Sequence, residues 1–202
     1  MIDVKAITAL QAETVKRWHE EEIDNLYHGF MNLVCRQHQQ NFRLWHEEDI
    51  ARSSDVNDTE LAAVKRRIDK LNQRRNDQIE QLDDAIIEQL RQRNIAPLPS
   101  ARLNTETPGS AIDRLSILAL RIYHMQEQIQ REEAGPEHCQ AAAAKLDVLM
   151  AQLDDLSRSL NELLTDIFAG RRQMKVYRQM KMYNDPTMNP YLYTPRKGKS
   201  AA

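Results

Sequence analysis

Glycine and aromatic side chains are scarce in this chain of 202 residues, with 5 Gly and only 5% Phe, Trp and Tyr. That composition argues against a β-sandwich or barrel, and a charged fraction of 29% with so little glycine favours long amphipathic helices over a disordered chain. The two cysteines, Cys35 and Cys139, have no close-spaced partner and read as buried or idle thiols in a reducing compartment. A formal net charge of -2 removes any global case for nucleic-acid binding. No run approaches the roughly 20 apolar residues of a membrane span. Residues 1–14 carry Asp3, Lys5 and Glu13 without an apolar stretch, which speaks against a cleaved signal. A phosphate loop, a Gly-rich dinucleotide turn and zinc-type spacing are all missing. Nucleophilic catalysis finds no support either, since neither cysteine has an evident base and Ser116 sits in a buried-looking helix. The expectation is a soluble, cytoplasmic protein without a cofactor or metal.

Helical periodicity fills the space those absences leave. From Tyr27 a row spaced by four and three runs through Met31, Val34, His38, Asn41, Trp45, Glu48 and Arg52. Asn57 with Glu60 reads as a capping box opening a second helix to about residue 93. The apolar row of that helix is Leu61, Val64, Ile68 and Leu71, resuming at Ile79, Leu82, Ile86 and Leu90. Residues 94–109, with three of the seven prolines, form the longest connection. Thr107-Pro108 then suits the start of a third helix, 108–133, apolar almost all round and so expected to be the most buried. Gly135-Pro136 begins a fourth, whose seam Leu146, Leu149, Leu153, Leu156, Leu160, Leu163 and Ile167 alternates spacings of three and four. Residues 171–183 read as a short basic fifth helix, and residues 171–202 carry a net charge of +7 against -9 for the rest. The fold class expected is all-α: a long antiparallel bundle of four main helices over residues 1–185, with an irregular basic tail at 186–202.

Polar residues interrupt two of these rows. On the first long helix, His38, Asn41, Glu48 and Arg52 continue an apolar seam that also holds Trp45. On the second, Asp69, Asn72, Asn76, Glu80 and Asp83 share a row, with Arg75 and Asp77 beside it. Counting outward from the turn near Asp55 sets Asn41 level with Asp69 and His38 level with Asn72. If both rows face inward, amide, carboxylate, imidazole and guanidinium groups meet in the bundle, where burial costs several kcal/mol unless they are paired or bind something. The alternative is a solvated charged face. Amides and arginine in such a cluster suit oxygen-rich ligands. Di-iron bundles use Glu-x-x-His pairs; only the reversed spacings His19/Glu22, His46/Asp49 and His124/Glu127 occur here, so no metal is expected. The basic residues of 171–181 either balance the acidic body as a solvated face or meet an anionic partner.

Several longer motifs carry a resemblance: Asn41–Arg52 (NFRLWHEEDIAR), 69–77 (DKLNQRRND), 104–118 (NTETPGSAIDRLSIL) and 181–185 (KMYND). Together they resemble an uncharacterised bacterial all-helical family, the domain of unknown function forty-two fifty-four. The resemblance implies genes that commonly lie among glycosyltransferase and lipopolysaccharide genes, and hence a role in cell-envelope glycan assembly. It supplies no catalytic residue. Its motifs include Asn41, Glu48, Asp49, Arg52, Asn72 and Asn76, and they add Glu106, Asp113, Arg114, Lys181, Asn184 and Asp185 as candidates.

Three functions follow as expectations. The first is an accessory or ligand-binding protein holding a phosphorylated or nucleotide sugar in the polar cluster. The second is an enzyme on such a sugar, with Glu48 or Asp77 as acid/base and Arg52, Arg114 or Lys181 holding phosphate. The third is a helical scaffold that forms a homodimer or docks on a glycosyltransferase.

Overall fold

A computed structural model describes residues 2–178, Met182 and residues 185–193. Five long helices dominate: α1 (Val4–Glu20), α2 (Gly29–Arg52), α3 (Asp58–Gln92), α4 (Pro108–Ile129) and α5 (Gly135–Phe168). The fold is all-α. Two two-residue strands, β1 (Arg102–Leu103) and β2 (Arg172–Gln173), pair in parallel, and a single turn of helix, α6 (Pro190–Tyr193), follows in the segment expected to be irregular.

The first helix, α1, adds a fifth long element to the four expected. Its buried residues Val4, Ile7, Leu10, Gln11, Thr14, Val15 and Trp18 follow helical spacing. Asp3 caps it, accepting from the backbone N–H of Lys5 at 2.9 Å and Ala6 at 3.3 Å. The irregular link to α2 is held by Asp24, whose carboxylate accepts from Arg17 at 2.6 Å and from the Trp18 indole at 3.0 Å. Asn57 caps α3 through the Glu60 N–H at 3.0 Å, and Thr107 caps α4 through the Ser110 N–H at 3.2 Å.

Helix α4 buries ten residues between Pro108 and Leu120, more than any other helix, and lies between α1, α2, α3 and α5. Its second half, with Ile122, Met125 and Ile129, is only half-buried. The α5 seam divides in the same way. Leu160 and Ile167 are buried, whereas Leu146, Leu149, Leu153, Leu156 and Leu163 are half-buried; beside the row, Leu164 is buried. The core therefore follows α4 and the last turns of α5, not the whole leucine row.

The connection between α3 and α4 carries the chain back along α3. Its middle docks on the end of α5, where the Leu98 N–H donates to the Gly170 carbonyl at 2.8 Å and the Gln173 amide donates to the Ala101 carbonyl at 2.9 Å. Gly170 has φ +74, and a Cβ there would lie 2.8 Å from the Ala96 carbonyl, so the turn needs glycine twice over. This docking decides the next segment. Residues 171–178, expected as a basic helix, run extended through β2, and Arg178 pairs with Glu80 at 3.0 Å and Asp84 at 2.6 Å on α3. Tertiary contacts override a helical pattern of marginal length.

Candidate functional site

The return of the chain along α3 places the start of α4 against the middle of that helix. Gly109 sits on Asp83, donating its N–H to the carboxylate at 2.7 Å. One turn on, Asp113 is 4% exposed and faces α2 and α3 together. It accepts from Gln37 Nε2 at 2.6 Å, Asn41 Nδ2 at 3.0 Å and Arg75 Nε at 2.7 Å, and its second oxygen takes the Arg75 Nη2 donor. A bidentate guanidinium and two amides thus share one buried carboxylate, the arrangement that makes a buried ion pair tolerable. Asp113 in turn holds the Arg75 guanidinium firmly in its charged form.

Ser116, one turn further along α4, bridges to the same helix. Its hydroxyl accepts from Asn41 Nδ2 at 2.8 Å and lies 2.6 Å from His38 Nδ1. His38 is fully buried and stacks on Trp18 at 5.3 Å between ring centroids. Burial pushes its imidazole down to about 3, with the Gln11 backbone opposing. The folded protein thus carries this histidine neutral, and its contribution is complete above the free value near 6.5. Between pH 6.5 and 3 stability should fall by up to about 1.4 kcal/mol per pH unit through this group alone. Urea denaturation across that range, compared with His38→Gln, checks this; equal slopes in the two proteins would refute it.

Above the network a cleft of about 430 Å³ opens between α2, α3 and α4. It is lined by Asn41, Leu44, Trp45, Glu48, Asp49, Arg52, Asn72, Arg75, Ile117 and Leu120. Seven of these are residues that the polar rows and motifs singled out. Asn41 meets Asn72 and Arg75 across it, so the register is offset from the pairing with Asp69 that counting suggested. Arg52 pairs with Glu48 at 2.9 Å, and Asn72, half-buried, makes no side-chain hydrogen bond with the described residues.

The remaining candidates lie elsewhere. Asp69 is exposed and pairs with Lys65. Asp77 is also exposed and accepts from Gln73 at 2.8 Å. Asn76 is half-buried but outside the cleft lining. Glu106 and Arg114 pair with each other at 2.8 Å in a neighbouring groove with Arg121 and Asp155. Asp185 accepts from the backbone and hydroxyl of Thr187, which hold its carboxyl below the usual range. Lys181 and Asn184 lie outside the described residues.

A family described as "Protein of unknown function (DUF4254)" matches residues 31–176. The chain belongs to this family. No curated protein and no solved structure matches it. The DUF4254 match contains Asp113, every residue of the cleft, and most of the helical frame; α1 precedes it.

Two further features of the DUF4254 fold escaped the sequence rows. On the opposite flank of α2, a groove of about 350 Å³ is lined by Arg43, Arg67, Lys70 and Arg74, with Glu47 the sole acid. Arg67 pairs with Glu47 at 2.7 Å, and the other cations are unopposed within the lining. Nothing in the sequence set these apart from an ordinary solvated helix face. At one end of the same groove, His19, His46 and His124 converge from α1, α2 and α4, with one nitrogen of each within 4.8 Å of the others. Burial pushes the His46 imidazole down, and the neighbouring His19 and His124 add to it. Spacing along one helix cannot reveal a cluster built from three.

Proposed function

We propose that the protein is a ligand-binding helical protein of cell-envelope glycan assembly, taking the sugar portion of a phosphorylated or nucleotide sugar in the α2–α3–α4 cleft. The observation that carries this reading is the lining itself: amides, carboxylates and an indole gathered over a rigid floor. Asn41 and Arg75 are fixed by Asp113, so the floor is organised before a ligand arrives. Asn72 offers both a donor and an acceptor, and the Trp45 indole supplies an apolar wall. Both cations of the cleft are already paired, Arg75 with Asp113 and Arg52 with Glu48. Its chemistry therefore suits hydroxyls better than phosphate. The setting in glycan assembly rests on the family resemblance, and a cytoplasmic location on the charge pattern and unpaired cysteines of the sequence. Among enzymatic readings, Glu48 alone of the two acid/base candidates lies in the cleft.

Thermal-shift screening against free sugars, sugar phosphates and nucleotide sugars tests the proposal, because a ligand of the native state raises the melting temperature by mass action. A sugar-dependent shift that is lost in Asn72→Ala and weakened in Arg52→Ala is expected. Both side chains sit at the rim, so the variants should fold normally. Shifts that persist in both variants would overturn the assignment of the cleft. Shifts that track phosphate and disappear in Lys70→Ala would favour a second reading, in which the Arg43, Lys70 and Arg74 groove is the recognition site.

A further inference from the structure

We propose that His19, His46 and His124 form a binding site for a divalent transition-metal ion, with zinc as the best-matched member of the class. The site adjoins the sugar cleft, with Trp45 and Asp49 bordering both, and the reading rests on three geometric facts of its own.

The ligand set is complete in kind. Three imidazoles, one from each of three helices, bring a nitrogen apiece within 4.8 Å of one another. A tetrahedral ion at about 2.0–2.1 Å from each nitrogen would set the nitrogens roughly 3.3 Å apart. Closing that gap takes at most about 1.5 Å of side-chain movement, to which the half-exposed His46 can contribute.

The tautomers are also decided. His19 Nδ1 lies 2.7 Å from the Val15 carbonyl, and a carbonyl can only accept, so the proton sits on Nδ1. His124 Nδ1 lies 2.6 Å from the Glu127 carboxylate, which likewise accepts. In the neutral form of each ring this leaves the lone pair on Nε2, and both Nε2 atoms are buried with no hydrogen-bond partner among the described residues. Leaving a buried acceptor unpaired costs free energy, and a metal ion relieves two such costs at once. The Glu127 contact is the carboxylate–histidine support that metal-ligating imidazoles usually receive. Asp49 stands 4.0 Å from His46 Nδ1, placed for the same role.

Finally, the rings are held in place. Tyr123 stacks on His19 at 4.2 Å, Trp45 stacks on His124 at 4.6 Å, and Phe42 packs edge-on against His46 at 4.6 Å. This collar limits ring rotation and keeps the site in a low-dielectric wall. His46 also lines the basic groove. Three protein ligands leave a fourth position for water or for an anionic oxygen entering along Arg43 and Lys70, the open coordination that distinguishes reactive from purely structural zinc sites. His46 and His124 fall within the family match and His19 precedes it.

The test uses the full-length chain without an affinity tag, stripped with chelator and titrated with Co²⁺ and then Zn²⁺. One Co²⁺ per chain is expected, with the intense visible absorption of a four-coordinate ion, displaced by equimolar Zn²⁺. His46→Asn should weaken binding by roughly 100-fold or more, and Glu127→Gln by about 10-fold. Absence of uptake by the wild type would overturn the proposal, as would unchanged affinity in His46→Asn. His124→Gln repeats the test from the buried side. Should that variant fail to fold by circular dichroism, the half-exposed His46→Asn decides alone.

Discussion

Replacing Asp113 by alanine should destabilise the protein by about 3–5 kcal/mol, the range for removing one partner of a buried ion pair. The substitution leaves the Arg75 guanidinium without its counter-charge and the Gln37 amide without its acceptor, and it strips Asn41 of one of its two hydrogen bonds. Three helices meet at this carboxylate, so the loss is not local to one turn of α4. The pair itself is less valuable than its breakage suggests. Arg75→Met with Asp113→Leu fills similar volume with no stranded charge, and it should recover most of the loss. Urea denaturation of the two single variants and the double variant measures the cycle. A double variant as unstable as the sum of the singles would show that Arg75 and Asp113 act separately, against the geometry.

Gly109→Ala should cost about 3 kcal/mol and lower the melting temperature by roughly 6–12 °C, from overpacking together with loss of a hydrogen bond to a charged group. A Cβ at this position would lie 2.6 Å from the Ile79 carbonyl and 2.8 Å from the Asp83 carboxyl. The start of α4 would have to move off α3, breaking the N–H donated to Asp83. Because the nearest atom is backbone, trimming Asp83 gives no relief, and Gly109→Ala with Asp83→Ala should be no more stable than the single variant. Recovery in that double variant would mean that the carboxyl, not the Ile79 carbonyl, sets the approach. Burial already pushes the Asp83 carboxyl up, with Thr107 and Gly109 opposing, so this contact holds a carboxyl at some electrostatic cost.

The helices with strong periodicity were legible: the caps at Asn57 and Thr107, the Gly135-Pro136 break and the burial of α4 all follow from residue chemistry. Helix α1 had the same spacing from Val4 to Trp18 and a capping Asp3, but its polar Gln11 and Thr14 dilute the apolar stripe. Over residues 171–178 the expected basic helix is replaced for a different reason. Gly170 and the docking of 98–103 onto the end of α5 direct the chain into an extended path, and no local pattern announces a contact seventy residues away. Within the site, the inward turn of His38 and Asn41 could be read from an apolar row continued by polar groups. The central role of Asp113 could not, although Asp113 and Ser116 at i, i+3 inside an apolar helix were the available signal. Asp69 shared a row with Asn72, and Asp77 lay beside it, yet both face solvent, because an amphipathic surface helix exposes the face opposite its apolar stripe.

Recognition of a sugar by the cleft beside Trp45 can be tested directly. The protein has two tryptophans, one in the cleft and one, Trp18, 4% exposed and hydrogen-bonded to Asp24. Their indole N–H resonances in a ¹⁵N-correlated spectrum report separately on ligand and on fold. Titration with a nucleotide sugar should move the Trp45 indole and the Asn72 side-chain amide, saturably, while the Trp18 resonance stays fixed. A saturable response confined to Arg43, Lys70 and Arg74, with the Trp45 and Asn72 signals unmoved, would contradict it, as would no response to any sugar.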